Sequence, residues 1–277
     1  MSEHPVIACY RGLDSADAVG LGALLARALG EPLILASAYR YEAAGLSARP
    51  LPRPDNERRA QAAAAVLRRA RQFAGPGIDV REEIVPSARI ADALVGLGRD
   101  VDACVLVLGR DTQGRVTRSI IPQAPCPVLV APLSVPLPRP AALQRIGVAY
   151  DASPAARCAL VAAAHLARTT GAQLELLVVA RSSEHAAATL KTADPAAHEY
   201  TTTALVGDPR GQLAQESARL DLLVCGSRGR GRPLATILGS VSTHLVTHAR
   251  CPVLVVPPTV TRSPGRPLGI TSAAASA

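Results

Sequence analysis

The chain has 277 residues, 48% of them hydrophobic, which is enough for one large domain or two ordinary ones and excludes a mainly disordered protein. Aromatic residues make up only 2% of the chain, so stacking on a nucleobase has few possible donors. Lys and Arg outnumber Asp and Glu by 30 to 22, and because Lys191 is the single lysine, this excess is guanidinium charge that favours an anionic partner.

The first half of the chain predicts alternating strands and helices. Continuous apolar runs stand at residues 6–10, 33–38 and 102–109. Runs without alternation are typical of parallel strands covered on both faces. Capping side chains follow the first run at residues 14–17, where a helix is expected to begin. Residues 43–59, rich in Pro and Arg, are expected to form an irregular insertion.

The second half repeats the first. The sequence CPVLVAP at residues 126–132 returns as CPVLVVP at residues 251–257. The three apolar runs of the first half also have counterparts in the same order, at residues 146–150, 174–180 and 220–226. Self-similarity of this kind indicates an internal duplication. Since strands alternate with helices, we predict two tandem doubly wound, parallel-sheet α/β domains.

Proline-rich residues 132–145 predict a linker, which places the boundary between two domains near residue 140. The domains are therefore expected at residues 1–138 and 139–260. Residues 261–277, rich in Pro, Ser, Thr, Gly and Ala, are predicted to be a disordered tail.

Helix signals in the second half are clear. Ser153 and Asp208 each precede a proline, which is the pairing of an N-cap with proline at the first helical position. Between Ala180 and Tyr200 there is room only for a short helix.

A glycine motif follows the apolar run that ends in Cys225. Two residues separate Gly226 from Gly229, nine separate Gly229 from Gly239, and Ser240 then begins the segment SVSTHLVTHA. Glycines after a parallel strand allow main-chain N–H groups to approach a phosphate, and a helix N-terminus favours negative charge. The same loop holds Arg228, Arg230 and Arg232. These features predict an anion cradle with Ser240 and Ser242 as added hydroxyl donors.

This pattern is neither a Walker A loop, since Gly-Lys-Ser/Thr is missing, nor the G-x-G-x-x-G fingerprint. It resembles the nucleotide-binding motif of the universal stress protein family, and the resemblance spans both halves. It implies Rossmann-like domains of the adenine nucleotide alpha hydrolase type. Members of that family pair through the edge strand that here reads CPVLV, so the resemblance also implies an intramolecular pseudo-dimer.

Resemblance to the ATP-binding members implies roles for individual residues. Gly226, Gly229, Gly239, Ser240 and Ser242 would hold the phosphates and ribose, with Arg228 beside them and Val241 contributing its backbone. Asp151 would meet the nucleoside, and Val179 would lie against adenine. Mg²⁺ or Mn²⁺ would be held mainly by phosphate oxygens and water rather than by protein ligands.

The first half departs from the motif. Thr112 and Pro122 stand where the second and third glycines would be, and Gly109 lies 17 residues before Cys126, whereas Gly226 lies 25 before Cys251. Alignment on Tyr10 places Arg11 where Asp151 stands, although Asp14 also fits with a gap. We therefore expect one competent nucleotide site per chain.

Simpler interpretations exist for each feature. The glycines could serve a tight strand-to-helix turn alone, and Asp151 could merely cap the helix that Ser153 begins. His244 and His248 are four residues apart but lack the glutamate of H-E-x-x-H, so solvated or capping roles are favoured over a metal site. The arginines are spread over the chain, which favours solvated faces over nucleic-acid or membrane binding.

The function predicted from the sequence is binding of ATP or a related adenine nucleotide in stress response or regulation. The alternative is a nucleotide-free protein-interaction module of the same fold. No nucleophile with a base stands at catalytic spacing, so we do not expect an enzyme. A protein partner or a homodimer is compatible with this sequence.

The six cysteines have no C-x-x-C pair, a usage typical of reduced, buried thiols. The N-terminal sequence does not resemble a secretory leader. Together with the cysteine usage, this favours a cytoplasmic location.

Overall fold

The computed structural model describes residues 3–12, 15–41, 54–109, 115–132, 142–193, 199–227, 238–257, 260–262, 268 and 270–272. Within these ranges, no helix is both long enough and apolar enough to cross a membrane.

In the part of the chain that the structure describes, each half has five strands of the shared sheet that alternate with four helices. The first half runs β1 (Val6–Cys9), α1 (Ala16–Leu29), β2 (Leu33–Arg40), α2 (Pro54–Ala74), β3 (Val80–Ser87), α3 (Ile90–Asp100), β4 (Val105–Leu108), α4 (Arg115–Ile120) and β5 (Val128–Val130). The second half runs β6 (Arg145–Ala149), α5 (Pro154–Thr170), β7 (Gln173–Ala180), α6 (Ser183–Leu190), β8 (Thr201–Val206), α7 (Pro209–Glu216), β9 (Leu222–Gly226), α8 (Ser240–His248) and β10 (Val253–Val256). Two short strands follow, β11 (Val260–Arg262) and β12 (Ile270–Ser272).

The two halves share one ten-stranded sheet in the order β3-β2-β1-β4-β5-β10-β9-β6-β7-β8. Within this sheet, the strand pairs inside each half are parallel, and the two halves meet in one antiparallel pair between β5 and β10. At this seam Leu129 lies opposite Leu254. The predicted fold of two tandem doubly wound domains forming a pseudo-dimer through CPVLV is confirmed.

The sheet is covered on both faces, as its apolar strands require. Along β1, Val6 and Ala8 belong to one buried cluster, whereas Ile7 and Cys9 belong to the cluster on the other face. Leu25 of α1 and Leu166 of α5 lie in the same cluster as Val6. Helices α1 and α5 contact each other, so the two halves also pack together away from the seam.

Corresponding residues of the two halves can be matched by identical hydrogen bonds. The N–H of Tyr10 donates to the carbonyl of Ala36 at 2.8 Å, and the N–H of Tyr150 donates to the carbonyl of Leu177 at 2.9 Å. Tyr10 thus corresponds to Tyr150, and Ala36 corresponds to Leu177.

Helix starts follow the predicted signals. Ser153 caps α5 by accepting a hydrogen bond from the N–H of Ala156 at 3.2 Å, with Pro154 at the first helical position. Asp208 precedes Pro209 at the start of α7. Helix α1 begins after Ser15, while Asp14 lies outside the described residues. The short helix expected after Ala180 is α6, with 8 residues.

The structure differs from the expected irregular insertion at residues 43–59. Helix α2 already begins at Pro54, while residues 42–53 lie outside the described residues. Asn56, Ala63, Leu67, Ala70 and Ala74 of α2 are buried. This stripe of mostly small apolar residues explains why an arginine-rich segment is helical there. The other side of α2 exposes its arginines at 58, 68, 69 and 71 to solvent.

The tail also differs from the disorder that its composition predicts. Strands β11 and β12 pair antiparallel, and both contact α5. Leu268 between them is 1% exposed and belongs to the apolar cluster that includes α5. Burial of this leucine provides a tertiary contact for a segment without a hydrophobic pattern of its own.

Candidate functional site

Those predicted site residues of the second half that the structure describes lie at the carboxyl edge of the sheet. Strands β9 and β6 are neighbours where the strand order reverses, the place at which doubly wound sheets bind ligands. Ala149 lies opposite Cys225 on one side and opposite Leu177 on the other. Two residues further along their strands, Asp151 and Val179 are therefore at the same level, with Gly226 beside them.

The N-terminus of α8 stands after this edge. Gly239 is its N-cap, and the N–H of Thr243 makes the first helical bond to the carbonyl of Gly239 at 2.9 Å. The N–H groups of Ser240, Val241 and Ser242 therefore have no acceptor within the helix. Ser240 is exposed. Such a helix start can accept an anion through three main-chain donors and the helix dipole.

Two of the predicted phosphate donors are already used by the protein. The N–H of Gly239 donates to the carbonyl of Ser227 at 2.8 Å, which closes the base of the loop. The hydroxyl of Ser242, a residue 3% exposed, donates to the carbonyl of Gly226 at 2.7 Å. The expected role of Ser242 as a hydroxyl donor to phosphate does not match this geometry, because a buried hydroxyl needs a partner and here finds one inside the protein.

Gly226 has a packing reason of its own. A Cβ at this position would lie 2.7 Å from the Cβ of Ala155 and 2.8 Å from its carbonyl carbon, so strand β9 can approach α5 only with glycine here. Gly109 is in the same situation in the first half, where a Cβ would lie 2.8 Å from the Cα of Ser15. Since the first half lacks the rest of the motif, this glycine is explained by close packing in both halves.

Asp151 is half-buried and forms a local turn. One carboxylate oxygen accepts a hydrogen bond from the N–H of Ser153 at 3.0 Å. Ala152 between them has a left-handed φ of 62°, which is unfavourable for alanine and is stabilised by this bond. Asp151 therefore supports the turn at the start of α5 through one carboxylate oxygen. Its second carboxylate oxygen is the one that could accept a hydrogen bond from a ligand.

Val179 is half-buried at the end of β7 and borders an open cleft. Sequence reasoning missed the polar side chains of this cleft, because they come from the turns after β7 and β8. The cleft is lined by Val179, Ala180, Arg181, Ser182, His185, Gly207, Asp208 and Pro209.

Ser227 is a second residue that sequence reasoning missed. It is 2% exposed, and its hydroxyl has no hydrogen-bond partner within the described part of the chain. Its position directly after Gly226 was the available signal. The remaining loop residues of the prediction, Arg228, Gly229, Arg230 and Arg232, lie outside the described residues.

His244 and His248 stack face to face on α8, with ring centroids 4.0 Å apart and planes 8° apart. Nδ1 of His248 lies 3.0 Å from the carbonyl of His244. Burial first, and then the charges of His248 and Arg210, lower the pKa of His244. In the ranges that the structure covers, no three His, Cys, Asp or Glu side chains come together as metal ligands.

The first half has a different arrangement at the corresponding edge. Helix α4 has 6 residues against 9 in α8, and Pro122 lies in the 3-10 turn that follows α4. Arg11 is exposed at the position that corresponds to Asp151, while Thr112 lies outside the described residues.

All six cysteines are free thiols. Four of them, Cys9, Cys126, Cys225 and Cys251, are buried, and burial raises the pKa of each of these four thiols.

Comparison with known proteins finds similarity to universal stress proteins. The model of the universal stress protein family matches residues 180–257. A universal stress protein of Mycobacterium tuberculosis is 28% identical over 289 aligned positions, covering 91% of this chain and 97% of the relative. A universal stress protein A-like protein of Arabidopsis thaliana is 41% identical over 63 residues, which is 22% of this chain and 36% of that protein.

The fold is found in solved structures as well. The crystal structure of a universal stress protein from Archaeoglobus fulgidus superimposes with a TM-score of 0.72 at 18% identity, covering 93% of this chain and 100% of that one. This similarity extends over both halves and their shared sheet.

Proposed function

Because this chain belongs to the universal stress protein family, we propose that its C-terminal half binds ATP or a related adenine nucleotide in stress response or regulation. The observation that carries this proposal is the start of α8, where the N–H groups of Ser240, Val241 and Ser242 are free of helical partners. A phosphate group at this position would accept several of these bonds at once.

The neighbouring side chains fit the rest of a nucleotide. Val179 offers an apolar surface for the base, and the second carboxylate oxygen of Asp151 can accept from a ribose hydroxyl. The exposed Ser240 hydroxyl and the buried Ser227 hydroxyl, which has no partner among the described residues, are polar groups beside the same turn. A bound Mg²⁺ or Mn²⁺ would neutralise phosphate charge and be held by phosphate oxygens and water.

We further propose that residues 139–260 form the nucleotide-binding domain and residues 1–138 a domain without this activity. In the first half, helix α4 is shorter than α8 and a 3-10 turn with Pro122 follows it. Arg11 also replaces a carboxylate with a positive charge. Binding of one nucleotide per chain is therefore the expected stoichiometry.

Gly239→Asp tests the proposal. The backbone at Gly239, with φ −62° and ψ 151°, is open to any residue, and aspartate is a preferred N-cap. Its carboxylate would accept the free N–H groups at the start of α8 and repel phosphate. We expect the variant to melt at or slightly above the wild-type temperature without nucleotide and to lose the nucleotide-induced shift. With wild type at Mg-ATP about 100 times Kd, that shift is about 5 °C or more.

Gly211→Asp is the matched control, since Gly211 is exposed in the first turn of α7 and a Cβ there meets open space. It adds the same charge to the same half, and it should keep the nucleotide-induced shift. Retention of that shift by Gly239→Asp would contradict the proposal.

A nucleotide-free interaction module remains the second candidate because Gly226, Gly239 and Ser242 all have structural roles. This alternative predicts that wild type, Gly239→Asp and Gly211→Asp all melt at temperatures independent of Mg-ATP. Analysis of nucleotide released from the purified wild type by denaturation separates the two candidates independently.

A further inference from the structure

The first half contains a cavity of its own at the carboxyl edge of β1, β2 and β4. Its volume is about 60 Å³, and it lies between the sheet and helices α3 and α4. Most of its lining is apolar, including Ala36, Ala38, Leu94, Leu108 and Val116. Cys9 adds a neutral thiol to this lining, because burial raises its pKa to about 12.

Comparison of the two halves explains why the cavity exists. Ala36 corresponds to Leu177, as the matching bonds from Tyr10 and Tyr150 establish, and Ala38 two residues later corresponds to Val179. The first half thus carries two alanines where the second half carries larger side chains on the same face of the sheet. The two smaller side chains leave an apolar space on this face of the sheet, which the apolar tail of a ligand could fill.

The charge at this edge is also reversed between the halves. Arg11 lines the cavity and stands where the second half has Asp151. The hydroxyl-bearing residue Ser15, at the start of α1, lines the same cavity. The described lining holds no carboxylate. A guanidinium beside an apolar cavity is complementary to an anionic head on an apolar tail.

We propose that the N-terminal half binds a small monocarboxylate, with its apolar tail in the cavity between Ala36, Ala38 and Leu94 and its carboxylate against Arg11. The cavity has room for about four to six water-sized groups, since a single water needs about 10–15 Å³. This size corresponds to a tail of about four to six carbons. The site is independent of the nucleotide proposed for the other half.

Titration of the full chain with hexanoate tests the proposal by calorimetry. We expect saturable binding of one hexanoate per chain, weaker binding of hexan-1-ol, which has a similar tail without the charge, and no binding of hexylamine. Arg11→Gln should weaken hexanoate binding by about fivefold or more while leaving hexan-1-ol binding unchanged. Arg68→Gln, which removes an exposed arginine of α2, is the matched control and should bind hexanoate like wild type.

The double variant Ala36→Leu/Ala38→Val introduces the side chains that the second half carries at the same positions. It should fill the cavity, melt at or above the wild-type temperature and lose binding of both hexanoate and hexan-1-ol. Absence of saturable hexanoate binding to wild type, equal binding to the filled variant, or hexylamine binding as tight as hexanoate would each overturn the proposal. Gly239→Asp should still bind hexanoate, which separates this proposal from that of the nucleotide site.

Discussion

At the scale of single residues, the duplicated chain provides an internal control for interpreting a motif. Gly226 belongs to a nucleotide-binding pattern in the sequence, yet Gly109 has the same close contact with a helix in the half that lacks the pattern. Glycine at this position is therefore required by packing, whatever the ligand. The second half differs from the first in the longer helix α8, whose first N–H groups have no acceptor within the helix, and in the carboxylate of Asp151.

Alanine at either of these glycines should destabilise the protein to a similar extent. In Gly226→Ala the new Cβ meets Ala155, and in Gly109→Ala it meets Ser15, with backbone atoms involved in both contacts. We expect a loss of about 1–3 kcal/mol in the free energy of unfolding for each variant, measured by urea denaturation. Gly96→Ala, where a Cβ meets open space, is the control. A cost confined to Gly226→Ala would contradict a shared packing role.

At the scale of elements, one ion-pair cluster connects β7 to the turn before β9. Glu175 of β7 accepts from Nη2 of Arg219 at 2.7 Å and also from the hydroxyl of Thr203 of β8. Arg219 donates in addition to Glu216 at the end of α7. The hydrogen bond from Arg219 is the main reason that the pKa of Glu175 is lowered in the folded protein.

This lowered pKa predicts a dependence of stability on pH. A carboxylate with a folded pKa below its unfolded value stabilises the fold above the unfolded pKa, about 4.3 for glutamate, and this contribution is lost as the pH falls through the folded pKa. Glu175→Gln should therefore lower stability at pH 7 and flatten the decline below pH about 4.3. Urea denaturation between pH 3 and pH 7 measures the free energy of unfolding and its change with pH. Glu57→Gln, at an exposed position of α2, is the control. Parallel pH profiles of wild type and Glu175→Gln would contradict this role.

At the scale of the whole molecule, the two halves share one sheet and pack against each other. The β5–β10 seam buries Leu129 and Leu254, and α1 contacts α5 away from the seam. Continuity of the sheet therefore does not depend on the linker in the sequence.

Cleavage of the linker should leave the molecule assembled. A protease site placed within residues 136–139 and then cut should give two fragments that elute together at the size of the intact chain. Leu254→Asp buries a charge at the seam, at a cost of several kcal/mol, and in the cut protein it should separate or precipitate the fragments. Separation of the cut halves without that substitution would show that the seam is too weak to join them.

The fold could be predicted from the sequence because its signals are repeated. Unbroken apolar runs and the duplicated CPVLV determine strands, order and seam, and Ser153-Pro154 marks a helix start. The inward direction of the Ser242 hydroxyl could not be predicted, because it depends on the packing of α8 against β9. Composition also gave no sign that Leu268 would be buried, since that contact is with distant α5.

The antiparallel seam determines where the two proposed ligands would lie relative to each other. Parallel strands within each half, joined by one antiparallel pair, direct the ligand-facing ends of the two halves toward opposite poles of the molecule. A nucleotide at one pole and a carboxylate at the other could not touch each other or compete. If both proposed sites are occupied, a protein docked at either pole would contact one ligand only, and the two sites could influence each other only through the sheet between them.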